Sequence, residues 1–355
     1  MKYLATLKEL LREIVAKKGS DLHLTVGVPP VIRLNGKLVH TDHDPLTHNE
    51  LDGYVKEILT LDEYRRYNSK GELDKSYSLN GVGRYRVNVF KQREHDAIAI
   101  RLIGLKIPEL DTLHLPPVVR ELTTKKRGLI LVTGPTGSGK STTLAAIINE
   151  INETRADHIL TLEDPIEYLH RHKKSIVNQR EIGNDSANYN NALTAALRED
   201  PDVILIGEMR DLDSISIAIT AAETGHLVFS TLHTIGAAKT IDRIIDVFPP
   251  HQQQQVKVQL SGVLKGVISQ QLLPLTEDRG RCVALEVMTV TPAIQSLIRE
   301  GKTHQIQSSV QTGSKYGMQT MDMAIADFYR KNEITIESAM EYAVALDALQ
   351  RMLYV

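Results

Sequence analysis

The stretch Gly134-Pro135-Thr136-Gly137-Ser138-Gly139-Lys140-Ser141-Thr142 constrains this chain more than any other. It fits G-x-x-x-x-G-K-[ST], the phosphate-binding P-loop. Leu129-Ile130-Leu131-Val132 precedes it, an unbroken apolar run of the kind a strand buried on both faces needs. Behind it, Leu144, Ile147, Ile148 and Ile151 recur at the spacing of a helix face. Strand, glycine loop and helix is the order the motif requires. Its glycines let backbone N–H groups curl around an anion, and the helix N-terminus adds the positive end of its dipole. Lys140 is placed to reach the β- and γ-phosphates of a bound ATP, and Ser141 to offer its hydroxyl to Mg²⁺.

Around this centre the rhythm of the chain changes once. Leu4, Leu7, Leu11, Ile14 and Val15 make one helical face that Gly19 stops. Leu22, Leu24 and Val26 alternate as a half-buried strand does. Residues 31–39 hold the tight hairpin signal Asn35-Gly36. A helical stretch runs from Leu51 to Leu61, residues 76–91 read as a second hairpin turning at Asn80-Gly81, and Ile98, Ile100 and Leu102 mark a further strand. This mixture predicts a small α+β domain over residues 1–104. Pro108, Pro116 and Pro117 place a linker at 105–118. From 119 to 355 apolar strand runs alternate with helical patterns, at Leu129–Val132, His158–Leu162, Val203–Ile206 and Leu227–Thr231. That alternation predicts an α/β domain on a parallel sheet. Beyond Pro249-Pro250 the pattern turns mainly helical, with Gln252–Gln271, Pro292–Glu300 and Met321–Lys331 as its clearest pieces.

Composition excludes several classes. A net charge of −2 supplies no global basic field for nucleic acid or an anionic membrane. Lys125-Lys126-Arg127 and Arg171-His172-Lys173-Lys174 are short basic runs of the kind usually found on solvated faces. With Cys282 as the one cysteine there is no internal disulfide and no four-cysteine zinc site. No apolar run approaches the roughly 18–20 residues of a membrane span, and the start reads as an amphipathic helix rather than a signal peptide. The expectation is a cytoplasmic protein.

Hydrolysis asks for more than a P-loop: a water must be oriented and deprotonated. Ligands of open α/β sheets bind at the C-terminal strand ends, so acids there are the candidates. Val203-Ile204-Leu205-Ile206-Gly207-Glu208 is one such strand, although its acid follows a glycine. The other runs from His158 to Leu162 and ends in Glu163-Asp164-Pro165-Ile166-Glu167. His226 and His233 flank the strand Leu227–Thr231 and cannot both face one phosphate. His233, at the C-terminal end, is the better γ-phosphate sensor, and His226 reads as positional. Arg84 and Arg86 share one face of their strand, and Arg101 likewise opposes Ile98, Ile100 and Leu102. They are either solvent-facing arginines or arginine fingers offered to a nucleotide on another domain or subunit.

Taken together, these residues resemble the secretion-type hexameric ATPases, and within them the type IV pilus retraction ATPases, over nearly the whole chain. Gly19-Ser20-Asp21-Leu22-His23-Leu24 with Pro29-Pro30 looks like that family's PAS-like N-terminal domain, and the P-loop part like its RecA-like domain. Glu163–Glu167 looks like its Asp box. Gly207-Glu208-Met209-Arg210-Asp211 looks like its Walker B end, and residues 224–234 look like its His box. The resemblance implies a cytoplasmic homohexamer that hydrolyses ATP with Mg²⁺, peripheral to the inner face of the membrane, on the platform protein of a pilus machine. Glu208 is then the general base, Glu163 and Glu167 lie near the metal, and Arg86 and Arg101 complete the ATP site. Ala293-Ile294-Gln295-Ser296-Leu297-Ile298-Arg299-Glu300 resembles the retraction signature, departing from it at Gln295 and Ser296, and Tyr316–Asp322 also looks like the retraction type. The competing expectations are a pilus assembly or type II secretion ATPase, and a nucleic-acid translocase.

Overall fold

Helix signals open the chain. Thr6 and Glu9 form a reciprocal capping box at the start of α1 (Leu7–Ala16), which buries Leu7, Leu10, Leu11 and Ile14. The computed structural model describes residues 5–34, 36–103, 107–278 and 280–353. They form two compact units, Met1–Lys106 and Ile107–Val355.

In the first unit α1 is followed by β1 (Asp21–Thr25), β2 (Val31–Leu34), β3 (Lys37–His40), α2 (His48–Ile58), α3 (Leu61–Lys70), β4 (Glu72–Leu79), β5 (Gly83–Gln92) and β6 (His95–Ile103). The strands make one antiparallel sheet in the order β3-β2-β1-β6-β5-β4. Both expected hairpins form. Gly36 takes φ +82° in the first and Gly81 φ +75° in the second, while Asn35 lies outside the described residues. One helical stretch was expected near residue 51. Two helices stand there, because Thr60 caps a new one with Glu63. β5 buries Tyr85, Val87 and Val89 and turns Arg86 outward.

The expected linker at 105–118 is not free chain. Residues from Ile107 onward belong to the second unit, and Leu110, Val118 and Val119 are buried in its core. Pro117 does not break structure but starts α4 (Pro117–Thr123) at the position where a missing N–H costs nothing.

The second unit continues through β7 (Gly128–Thr133), α5 (Lys140–Thr154), β8 (His158–Glu163), β9 (Ile176–Glu181), α6 (Tyr189–Ala196), β10 (Val203–Ile206), α7 (Leu212–Glu223), β11 (Leu227–Leu232), α8 (Ala237–Asp246) and α9 (Pro250–Val263). Then come β12 (Leu264–Pro274), β13 (Arg281–Thr289), α10 (Pro292–Glu300), α11 (Ile306–Gln311), α12 (Met321–Arg330), α13 (Ile336–Tyr342) and α14 (Leu346–Leu353). Seven strands lie in the order β13-β12-β7-β11-β10-β8-β9. All neighbours are parallel except β12 and β13.

Its apolar runs are explained by two cores. Leu129 and Leu131 enter the core on one face of the sheet, Ile130 and Val132 the core on the other. Strand β7 is therefore buried at every residue. A helix over 252–271 is corrected: it ends at Val263 and the chain enters β12. Gly266 there faces Leu122, whose Cδ1 would stand 2.9 Å from an added Cβ. Helices α12–α14 close over Leu273 and Ala284. Asp322, buried, pins them by accepting from the backbone N–H groups of Val344 (2.8 Å) and Ala345 (3.0 Å). Cys282 is half-buried on β13, and burial pushes its thiol up to about 11, as an inert cysteine requires.

Candidate functional site

The loop between β7 and α5 takes the shape its glycines allow. Gly134 has φ +140°, and a Cβ there would stand 2.2 Å from the backbone oxygen of Gln270. Gly139, at φ +88°, opens α5. Lys140 begins the helix and is nearly buried. Its Nζ donates to the loop's own carbonyls, Gly134 at 2.8 Å and Pro135 at 2.9 Å. Burial pushes this ammonium below its ordinary range, opposed by the charges of Glu167 and Glu208. Both carboxylates therefore act electrostatically on Lys140.

Gly139, Lys140, Glu167 and Glu208 line one cleft of about 690 Å³ at the C-terminal edge of the sheet. Thr136, Gly137, Gly139, Lys140, Ser141 and Thr142 form one wall; Glu163, Glu167, Glu208, Arg210 and His233 face them from the other strand ends. The structure thus brings the expected residues of the second unit together. Three loop residues differ: Gly134, Pro135 and Ser138 do not line the cleft, and Ser138 points into the protein, 3% exposed. His226 lies at the other end of β11, its Nδ1 2.9 Å from the carbonyl oxygen of Ala221, so its place is structural.

Glu208 follows β10 through Gly207. The glycine is a matter of space: an added Cβ would come 2.9 Å from the hydroxyl of Tyr189 and 3.2 Å from the Leu162 carbonyl oxygen. Glu208 is largely buried, with His233 Nε2 3.5 Å from one carboxylate oxygen and Arg210 paired tightly to the other. Burial pushes the Glu163 carboxyl up, opposed by hydrogen bonds from Thr161 (2.6 Å) and Gln179 (3.1 Å). Gln179 was invisible to motif reading because it sits on the short edge strand β9. Tyr168, whose hydroxyl shares a 2.9 Å hydrogen bond with Thr142, and Arg281 are further cleft residues outside any motif. His170 also lines the cleft; burial and then Lys173 lower it to about 4, so it is neutral near pH 7.

Among the described residues no group of three His, Cys, Asp or Glu side chains is placed to hold a metal by itself. That suits Mg²⁺, which takes one or two carboxylates and completes its shell with water and phosphate oxygens. Ser141, Glu163 and Glu167 are hard oxygen donors on the same cleft.

In the first unit Arg86 and Arg101 are directly opposed across β5 and β6. Like charges in such a pair repel, and acids offset them. Arg101 Nε donates to Asp21 at 2.8 Å, and Arg86 Nε stands 3.9 Å from Asp74. Both guanidinium side chains remain at least half exposed.

Residues 86–279 match the family described as type II/IV secretion system protein, over more than half of the chain. The chain belongs to this family. A type IV pilus retraction ATPase of Pseudomonas aeruginosa, PilT, is 47% identical over 95% of this chain and 98% of its own length. The type IV pilus ATPase PilU of the same organism is 39% identical over 98% of this chain and 91% of its own length. Among solved structures, a pilus retraction motor PilT with bound ADP superposes with a TM-score of 0.93 at 46% identity, covering 98% of this chain and all of that one. As a member of this ATPase family, the chain carries its α/β fold behind an antiparallel N-terminal sheet.

Proposed function

We propose that this protein is a Mg²⁺-dependent ATPase motor that powers retraction of a type IV pilus. The observation that carries the reading is the meeting of Lys140, Glu208, Glu163 and Glu167 on one cleft, in a chain 47% identical over 95% of its length to a pilus retraction ATPase. In this reading Lys140 leaves the loop carbonyls for the β- and γ-phosphates, and the loop N–H groups cradle their oxygens. Bound Mg²⁺, held by Ser141, Glu163 and Glu167, would neutralise charge developing on those oxygens. Glu208 takes the proton of the attacking water once its pairing with Arg210 loosens, and His233 stands beside it to sense the γ-phosphate. The working form is a homohexamer at the inner face of the cytoplasmic membrane, acting on the pilus platform protein and not on nucleic acid.

Two variants and one deletion test this. Lys140→Ala removes the cation facing the phosphates, so ATP binding weakens and turnover is lost. Glu208→Gln keeps binding and stops hydrolysis, because an amide orients water but cannot accept its proton. Normal turnover in Glu208→Gln together with none in Glu163→Gln would move the base to β8. A deletion strain should be over-piliated and fail to twitch; a bald strain would assign the motor to assembly.

A further inference from the structure

Gln270 lies on β12, beside β7. The register pairs Ser269 with Thr133, which brings Gln270 level with Gly134, the first residue of the loop. Its side chain is fully buried. Nε2 donates to the carbonyl oxygen of Ser138 at 2.5 Å, while Oε1 has no protein hydrogen-bond partner among the described residues. Loop glycines pack on either side of it. A Cβ on Gly134 would strike the Gln270 backbone oxygen, and one on Gly139 would come 3.2 Å from Nε2.

Burying an amide with one end unsatisfied is costly, and Leu or Met would fill a similar volume without that cost. Packing alone does not account for this residue. Its hydrogen bond goes to the peptide between Ser138 and Gly139. In a trans peptide the carbonyl and the N–H point in opposite directions. Holding the Ser138 carbonyl down against β12 therefore turns the Gly139 N–H outward, on the side where Gly139 lines the cleft. Because Gly139 tolerates either sign of φ, that peptide can flip at low steric cost. A flipped peptide would present a carbonyl oxygen to a phosphate and repel it.

We propose that Gln270 is a positioning residue for nucleotide binding: it clamps the Ser138–Gly139 peptide so that its N–H faces the phosphates. This rests on the P-loop being the nucleotide site. The clamp acts equally on bound substrate and transition state, so it governs affinity and not the chemical step.

The experiment uses the full chain and a fluorescent ADP with Mg²⁺. Gln270→Met fills the space but donates nothing. Its melting temperature should stay within about 2 °C of wild type, and its Kd for ADP should rise about tenfold, equivalent to about 1.4 kcal/mol. The KM for ATP should rise alike, with kcat at saturation within about threefold. Gln270→Glu, an isostere with a charge facing the Ser138 carbonyl, should bind more weakly than Gln270→Met. ADP affinity within twofold of wild type in Gln270→Met, or a kcat loss at unchanged KM, overturns the clamp. So does an affinity loss in both variants that only follows a fall in melting temperature. Lys140→Ala separates the two levels. Affinity lost there but kept in Gln270→Met sinks this inference alone, whereas affinity kept in both removes the P-loop reading beneath it.

Discussion

Gly207 shows how a single absent methyl group sets the position of an acid. Its backbone needs no left-handed conformation, so space alone decides its identity. The peptide N–H of Gly207 donates to Leu162 on β8 (2.8 Å), and the Tyr189 hydroxyl closes over the place where a Cβ would be. Gly207→Ala should therefore push the chain away from β8 and misplace Glu208. A clash of this size in a packed site costs on the order of 1–3 kcal/mol. Turnover should fall at least tenfold with nucleotide binding largely kept. Adding Tyr189→Phe removes the nearest clashing atom, and the double variant should recover part of the activity, though the Leu162 carbonyl still crowds the site. A double variant no better than Gly207→Ala would show that the tyrosine is not what requires the glycine. At this scale the P-loop, Glu208, Glu163 and His233 were legible in the sequence, because each sits at a strand end that an apolar run announces. Gln179, Tyr168 and Gln270 were not legible. Each acts through side-chain hydrogen bonds made across the fold, three for Gln179 and one each for Tyr168 and Gln270, and such bonds leave no spacing to read.

Elements follow the same division. Strands β7, β8, β10 and β11 were readable because burial on both faces gives each a predominantly apolar run. β9 and β12 were missed for opposite reasons. β9 is an edge strand with a weak, partly exposed pattern. β12 is buried nearly throughout, yet it carries Ser269, Gln270 and Gln271, which made it look like the tail of a helix. Those polar residues have work to do. Ser269 accepts from the Gly236 N–H (2.9 Å), and its cross-strand partner Glu286 accepts from Ala237 (2.7 Å), so together they cap α8 just beyond His233. Local rules failed where the strand grips the site, as expected of functional segments. Helix α10 raises a different question. Thr291 caps it, Gly301 at φ +72° ends it, and Ile294 and Ile298 are fully buried. Leu297 is only partly buried against the same core. The helix lies outside the residues lining the cleft, so its work should be on a partner. Leu297→Ala should leave ATPase activity within a few-fold and impair retraction, read as twitching in a complemented deletion strain. Equal loss of both would assign the residue to folding, where truncating a leucine costs about 2–5 kcal/mol when fully buried and less here.

At the scale of the whole molecule, the chain has two units with separate cores, and each carries arginines that we propose act in ATP hydrolysis. The cleft of the second unit holds Lys140, Arg210 and Arg281, and Arg210 is already paired with Glu208. Phosphoryl transfer spreads negative charge over the γ-oxygens, and a guanidinium delivered from another domain or chain is worth about 10³–10⁵ in rate. Arg86 and Arg101 suit delivery, because the sheet register sets them side by side and they stay exposed. Asp21 both holds and restrains Arg101; burial pushes that carboxyl up, but hydrogen bonds from Arg101 and Ser20 win and keep it below its ordinary value. We expect the pair to serve a neighbouring subunit, so that hydrolysis needs the assembled ring. Arg86→Ala and Arg101→Ala should each keep nucleotide binding and lose at least about a hundredfold in kcat. Mixing Arg86→Ala subunits with Glu208→Gln subunits should restore part of the activity, since some interfaces then join one intact Arg86 to one intact Glu208. An arginine acting on its own subunit's site predicts something else for that mixture: each such interface would lack one of the two groups whichever way the subunits alternate, and no activity would return. Wild-type kcat in both single arginine variants would reject the finger in either form and leave these residues as the polar face of an antiparallel sheet.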